Sequence, residues 1–404
     1  MAFRNVFRQK RRSLLTALTM LGGFVLCAVA IGIADGSFNG IVNAFTRSRM
    51  GHVQIHAQGY LARPSLSKAI RDYRGIGRAI EANSDAVAWA PRVYSAGLVS
   101  VGERSDASRI VGVDPDLEVR ATNFDKRVVQ GRTFSTGAEK EIILGVGLAR
   151  SLKASVGADV VIVSQASDGS LANDRYRLVG LADTGDMATD RTTLYLRLGD
   201  ARELLVLDDL VHEIVVIAGS LGRVAALDAD LHRKFGPLGL DVEPWQEFAK
   251  SFYLAMKADQ RGHAVLLLIL FIVVAIGVLN TALMSVLERR REYGVLKALG
   301  TKPRQVFALI LLEIQVLALI SIVLGVGLSL PLNVYLSHHP ISMGGAFSKP
   351  MTFGGMDFRS FAAEVNTRSF IIPALTVLLS AFLVSLMPAF KAARVEPAKS
   401  IRVF

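Results

Sequence analysis

Four long apolar runs set the plan of the chain. They cover 13–34, 262–287, 305–336 and 369–390. The second, Gly262 to Leu287, holds 26 residues without a formal charge, and from Gln305 to Ser348 the only charge is Glu313. About 20 apolar residues span a bilayer as a helix, so the pattern predicts four transmembrane helices. Between the first and second runs the pattern changes to short alternating segments typical of an α+β domain, 35–261. Val53 to His56 alternates as a strand, and Val93–Val101 with Arg109–Val113 reads as a hairpin. Ile142–Leu144 leads into a helix at Val146–Lys153. Val160–Ser164 and Tyr176–Leu181 flank the turn pair Asp168-Gly169. Thr193–Leu196 and Ile214–Ala218 read as strands, Ala201–Leu207 and Leu221–Phe235 as helices. A last helix from Pro244 is expected to run unbroken into the second span, and the stretch after Asp35 to prolong the first. The domain would then stand on two helical stalks.

Charge adds a direction to this plan. Residues 1–12, 288–304 and 391–404 together carry 15 Lys and Arg against three acids, Glu288, Glu292 and Glu396. The positive-inside rule puts these flanks in the cytoplasm: an amphipathic N-terminal helix, a central segment and a C-terminal tail. The domain from Gly36 to Arg261 has 28 basic and 28 acidic residues and is predicted periplasmic, as is the loop 337–368. The net charge of +11 and pI of 9.9 therefore have a topological origin and do not point to nucleic acid. The 22-residue first run exceeds the roughly 7–15 residues of a signal-peptide core, so a retained span is expected. Cys27, the single cysteine, is read as a small apolar packing residue.

Candidate chemistry is sparse. No GxxxxGK[ST] phosphate loop and no GxSxG elbow occur, so ATP hydrolysis is not expected on this chain and nothing argues for an enzyme. His212-Glu213 opens like a zincin motif, but Val216 stands where the second ligand belongs. His52 and His56 read as surface histidines on a strand, and His338-His339 lacks a third ligand. No metal and no cofactor are expected. Within the spans, Glu313 is expected near the cytoplasmic interface, reaching Lys302 or Arg304. Asn280 and Asn333 read as interhelical hydrogen-bonding residues. Gly32, Gly36 and Gly40 permit close helix approach and mark a candidate subunit interface. Pro331 is expected to kink the third span.

Leu287 to Arg304, LERRREYGVLKALGTKPR, is the most informative stretch. Glu288 and Glu292 favour a helix start, Lys297 its end, and Gly300 an αL cap. Val295, Leu296 and Leu299 give an apolar stripe. Two readings fit: a helix lying passively on lipid, or one that receives force from a soluble partner.

The string RREYGVLKALGTKPRQVFALILLE resembles the motif of the MacB-type (type VII) ABC transporter permeases. The opening AFRNVFRQKRRSLLT and the ending MPAFKAARVEPAKSIR are similar to that family's termini. GHVQIHAQGY, VGVDPDLE and the GR…EIILGVGLARSL…GADVVI progression resemble the lipoprotein-releasing branch. Tyr293 stands where Ile is usual. The resemblance implies a bacterial inner-membrane permease that pairs with a second copy or paralogue and binds a dimeric cytoplasmic ABC ATPase subunit. The segment 288–304 would be the coupling helix, with Arg291, Glu292, Tyr293, Gly294, Leu296, Lys297, Ala298, Leu299 and Gly300 contacting the ATPase. The cargo would be a lipoprotein or other hydrophobic molecule, lifted from membrane lipid and passed to a periplasmic acceptor. The cavity between the paired permeases is expected to be apolar and open laterally to lipid, lined by the outer halves of the first and second spans, for instance Val29, Ile33, Leu266, Leu267 and Leu270. Two alternatives are an efflux permease working with an adaptor and an outer-membrane channel, and a regulator of a cell-wall hydrolase. The 227-residue domain is large for the latter.

Overall fold

The structure is a computed structural model that describes residues 10–135, 137, 139–342, 351–353, 356–358 and 360–394. Most of the helix expected over 1–12, part of the 337–368 loop and the tail beyond 394 lie outside the described residues. In chain order the elements begin with α1 (Lys10–Phe45), β1 (Val53–Ala57), α2 (Tyr73–Glu81), β2 (Ala86–Val101), β3 (Arg104–Val113) and α3 (Pro115–Thr122). Next come β4 (Val128–Gly131), β5 (Glu141–Gly145), α4 (Val146–Leu152), β6 (Asp159–Gln165), β7 (Leu171–Ala182) and α5 (Met187–Thr192). Then follow β8 (Thr193–Arg197), α6 (Leu198–Leu205), β9 (Glu213–Ala218), α7 (Val224–Phe235) and β10 (Leu240–Pro244). The helices α8 (Trp245–Phe248), α9 (Lys250–Glu288), α10 (Arg290–Ala298), α11 (Pro303–His338) and α12 (Arg368–Ala393) complete the described chain. The chain divides into two compact units. One comprises Met1–Phe38, Lys257–Met343 and Ser360–Phe404, the other Asn39–Met256 and Gly344–Arg359.

The α+β unit is built on a mixed sheet in the order β10-β1-β9-β2-β3-β8-β5-β7-β4, with β6 pairing both β2 and β7. Those last pairings close six strands into a ring: β2, β3, β8, β5, β7, β6 and back to β2. The 16-residue β2 makes this possible, because its first half pairs with β9 and its second half with β6. Gly97 sits where β6 crosses; a Cβ there would lie 2.6 Å from the Val163 carbonyl oxygen. Alternation sorts the side chains into two sets. Ile110, Ile142, Leu144, Leu178, Leu194 and Leu196 are fully buried on one face. Val111, Val113, Phe124, Ile143, Val179 and Tyr195 cluster on the other. Each such aliphatic side chain contributes about 1.5–3 kcal/mol by leaving water.

Two expectations need correcting here. His52 and His56 are buried rather than at the surface. His56 lies on β1 and His52 immediately before it, and β1 is flanked on both sides by β10 and β9, so it is interior to the sheet. His52 Nδ1 accepts from the Ala218 amide, and His56 Nε2 lies 3.2 Å from Glu213 Oε2. The helix from Pro244 is also interrupted. Ala249 adopts φ −110°, ψ 41°, which separates α8 from α9. At the other junction, α1 continues to Phe45 and ends in a π turn, Thr46–Met50, closed by Gly51 at φ +81°.

Among the described residues, four helices are long and apolar enough to cross a membrane: Leu14–Phe45, Lys250–Asn280, Pro303–His338 and Arg368–Ala393. The helical unit is built from them. Its contacts rest on small residues, which let backbones approach where hydrophobicity alone gives no drive in lipid. Gly325 receives the Phe24 ring and Gly23 receives Val274. Asn333 donates to the Ala28 carbonyl (3.3 Å), as expected of an interhelical residue, whereas Asn280 is exposed. Gly32 faces Asn333, and a Cβ on Gly36 would lie 2.3 Å from the Ala362 oxygen. Those two glycines are thus occupied inside the chain, and only Gly40 faces open space. Helix α11 runs through Pro331 as one element.

Candidate functional site: a cavity beside two long helices and the segment joining two others

A cavity of about 320 Å³ lies between α1 and α9. Ala30, Ile31, Ala34 and Phe38 come from α1, and Ala264, Leu266 and Leu267 from α9. Its other lining is polar, with Gln260 and His263 beside the charged Asp35, Lys257, Asp259, Arg261 and Arg368. Asp35 accepts from Arg368 Nη1 (3.1 Å) and from Asn366 Nδ2 (3.0 Å). Asn366 in turn accepts from the Ser369 amide and hydroxyl at the start of α12 (2.8 and 2.7 Å). The polar end is therefore braced by α1 and the start of α12. Of the five residues expected on the wall, Leu266 and Leu267 line the cavity, while Val29, Ile33 and Leu270 do not. This cavity within the chain is not wholly apolar: one end is ionic. The reason is the position of the charges, which immediately flank the apolar runs.

The central segment folds as expected in outline. Helix α10 is closed by Gly300 at φ +95°, where the Gly300 amide donates to Lys297 O (3.1 Å) and the Thr301 amide to Leu296 O (3.1 Å). This paired pattern satisfies two terminal carbonyls and needs the glycine. The apolar stripe divides: Tyr293 is buried and Leu296 packs against the same core cluster, while Val295 and Leu299 are exposed. Gly294 is also buried; Arg291, Glu292, Ala298 and Gly300 are exposed, and Lys297 donates to the Ala393 oxygen (2.9 Å). Glu313 does not use Lys302 or Arg304. It accepts two bonds from Arg289 Nη1 (2.8 and 3.0 Å), and Arg289 Nε bonds Glu292 (3.1 Å). Arg289, only 5% exposed, thus locks the start of α10 onto α11. Sequence reasoning missed it because the residue sits among three consecutive arginines. Among the described residues no group of three or more metal-ligating side chains occurs.

Apolar helices around a lateral cavity, together with a capped amphipathic segment between two of them, define an integral membrane permease. Residues 13–234 match the family model described as the MacB-like periplasmic core domain, and residues 264–397 that of the FtsX-like permease C-terminal. The chain belongs to this family of MacB-type ABC transporter permeases, multi-pass proteins of the inner membrane with a periplasmic domain. It is 24% identical to the lipoprotein-releasing system transmembrane protein LolC of Neisseria meningitidis, over 76% of this chain and 74% of that one. It is 21% identical to LolE of Haemophilus influenzae over 97% and 96%. The macrolide export ATP-binding/permease protein MacB of Wolinella succinogenes is 23% identical, over 90% of this chain and 58% of that one.

Proposed function

We propose that this chain is the permease subunit of an ABC transporter whose ATPase is a separate cytoplasmic subunit, and that it extracts a lipid-anchored cargo from the outer leaflet for a periplasmic acceptor. The observation that carries the reading is the amphipathic cavity between α1 and α9. An acyl chain fits the Ile31, Leu266 and Leu267 wall, where burial is worth about 0.8 kcal/mol per CH₂. A polar linkage fits the Asp35–Arg368 end. The lipoprotein-releasing names of two relatives support the cargo class. With four spans and the α+β domain between the first and second, the positive-inside rule supports a cytoplasmic side for the three basic flanks. There α10 acts as the coupling helix: Arg291, Glu292, Ala298, Leu299 and Gly300 meet the ATPase, and Tyr293 and Gly294 beneath them pass the motion inward.

A second permease, identical or paralogous, covers α9. Only 11% of that helix's apolar window is buried within the chain, against 39% for α1. Leu266→Arg tests the reading, since a guanidinium on this wall opposes an acyl chain. Cargo release should fall at least tenfold in a complex that still assembles with its ATPase; unchanged release would overturn it. The macrolide relative favours an efflux alternative, which predicts that a soluble substrate, not a lipidated one, depends on Leu266.

A further inference from the structure

The α+β unit holds a second, larger cavity of about 610 Å³, unrelated to the one above. Its wall is one sheet face, built by register. Arg92 pairs with Glu213 on β9 and Val113 on β3. Tyr94 pairs with Val111, which pairs with Tyr195 on β8; Ala96 pairs with Arg109, which pairs with Thr193. Tyr60, Leu61, Leu66 and Phe248 supply an apolar side.

The charges in this cavity do not cancel. Four arginines line it: Arg49, Arg92, Arg109 and Arg127. Arg92 lies between Glu118 (2.6 and 3.0 Å) and Glu213 (3.3 Å), so the four arginines face three carboxylates, Glu118, Glu213 and Asp186, and one positive charge is left over. Both carboxylates are saturated, because Thr122 also donates to Glu118, and Tyr94 to Glu213. Arg49 pairs with Asp186. Arg109 has only the Thr193 hydroxyl (3.4 Å) and the Tyr94 ring. Arg127 has only the Thr122 carbonyl (3.1 Å). Neither has a carboxylate partner among the described residues. Tyr195 is buried, at 8% exposure, and lines the cavity beside them. Burial pulls the Arg127 guanidinium below its ordinary value. Arg127 is half-buried, whereas Arg109 is exposed and reaches the cavity from its rim. A half-buried guanidinium without a paired carboxylate is unfavourable unless something completes it. An inorganic anion would leave most of this volume empty, whereas 300–1,000 Å³ is the usual range of small-molecule sites.

We propose that this cavity binds an anionic amphiphile, with one phosphate or carboxylate head held by Arg109, Arg127 and Tyr195 and an apolar tail against Tyr60, Leu61 and Phe248. Its place in the α+β unit makes the site independent of whichever cargo the membrane helices carry. The test uses the full-length chain in phosphatidylcholine nanodiscs with radiolabelled dodecyl phosphate. Binding should saturate at one per chain and weaken at least tenfold in Arg109→Gln/Arg127→Gln, while Arg109→Lys/Arg127→Lys retains most of it. Displacement by sodium dodecanoate but not inorganic phosphate supports a lipid source; equal displacement by inorganic phosphate supports the same anion site filled by a solute. Displacement by the uncharged dodecyl maltoside, or equal binding in the Gln variant, overturns the proposal. Should the Gln variant fail to fold, hydrogen exchange decides: dodecyl phosphate should slow amides at 60–66 and 127 in the wild-type chain, and no slowing overturns it.

Discussion

The two units bury polar groups in opposite ways. In the α+β unit, charge is buried in a network: Arg92 between Glu118 and Glu213, with Tyr94, His56 and Thr122 completing the hydrogen bonds. In the helical unit, the buried polar residues are mostly serines bonded to their own helix, such as Ser321 to Leu317 O and Ser329 to Gly325 O. A sheet that positions partners from distant segments can satisfy both carboxylates of such a network. A helix surrounded by lipid must satisfy its polar groups locally or against a close backbone. The exception, Arg289 with Glu313, falls where force would have to pass between elements.

The contrast is broken most severely at Arg92. Arg92→Met leaves two buried carboxylates uncompensated, and removing one partner of a buried pair costs about 3–5 kcal/mol. Pulse proteolysis of the full-length chain should show that loss in the α+β unit with the helical unit intact; a loss below about 1 kcal/mol would mean the network is not structural.

A smaller effect is expected across the helical unit. Arg289→Glu should cut cargo-stimulated ATP hydrolysis in the assembled complex several-fold, and the exchange Arg289→Glu with Glu313→Arg should recover part of it. Equal defects in the single and exchanged variants would show that the pair transmits nothing.

The smallest effect concerns pH. Burial and then the charge of Arg47 pull His52 down to about 4. The unfolded state therefore takes the proton first, and this contribution to stability is complete above about pH 6.5 and lost as pH falls toward 4. Burial pushes Asp190 up to about 6, so its contribution has the opposite sign and is lost as pH rises from about 4 to 6. The two offset one another in the wild-type chain. His52→Gln should be more stable at pH 5 relative to pH 7, compared with wild type, by roughly 2 kcal/mol. An identical pH profile for the two proteins would place the titration elsewhere.

Local pattern made much of this legible. The β2–β3 hairpin, the β5–α4 step and the Gly300 cap each rest on neighbours a few residues apart. Ring closure by β6 against β2 does not, because Gly97 and Ser164 are brought together by pairing alone. The burial of His52 and His56 has the same origin: alternation finds a strand but cannot say that β1 has neighbours on both edges. Leu266 and Leu267 line the cavity within the chain, but α1 is apolar on every side, so nothing in its sequence distinguishes Val29 and Ile33 from Ala30, Ile31 and Ala34. The ionic end went unread because Asp35, Arg261 and Arg368 looked like ordinary flanking charges.

The central claim is that the cavity between α1 and α9 holds the lipid anchor of a cargo and that ATP hydrolysis on a partner expels it. A photo-crosslinking residue at Leu267, in proteoliposomes containing the assembled transporter, tests this directly. A lipidated protein should be captured before ATP is added and lost after turnover. Capture of only an unlipidated substrate, or of a lipidated protein whose yield ATP leaves unchanged, would contradict the account.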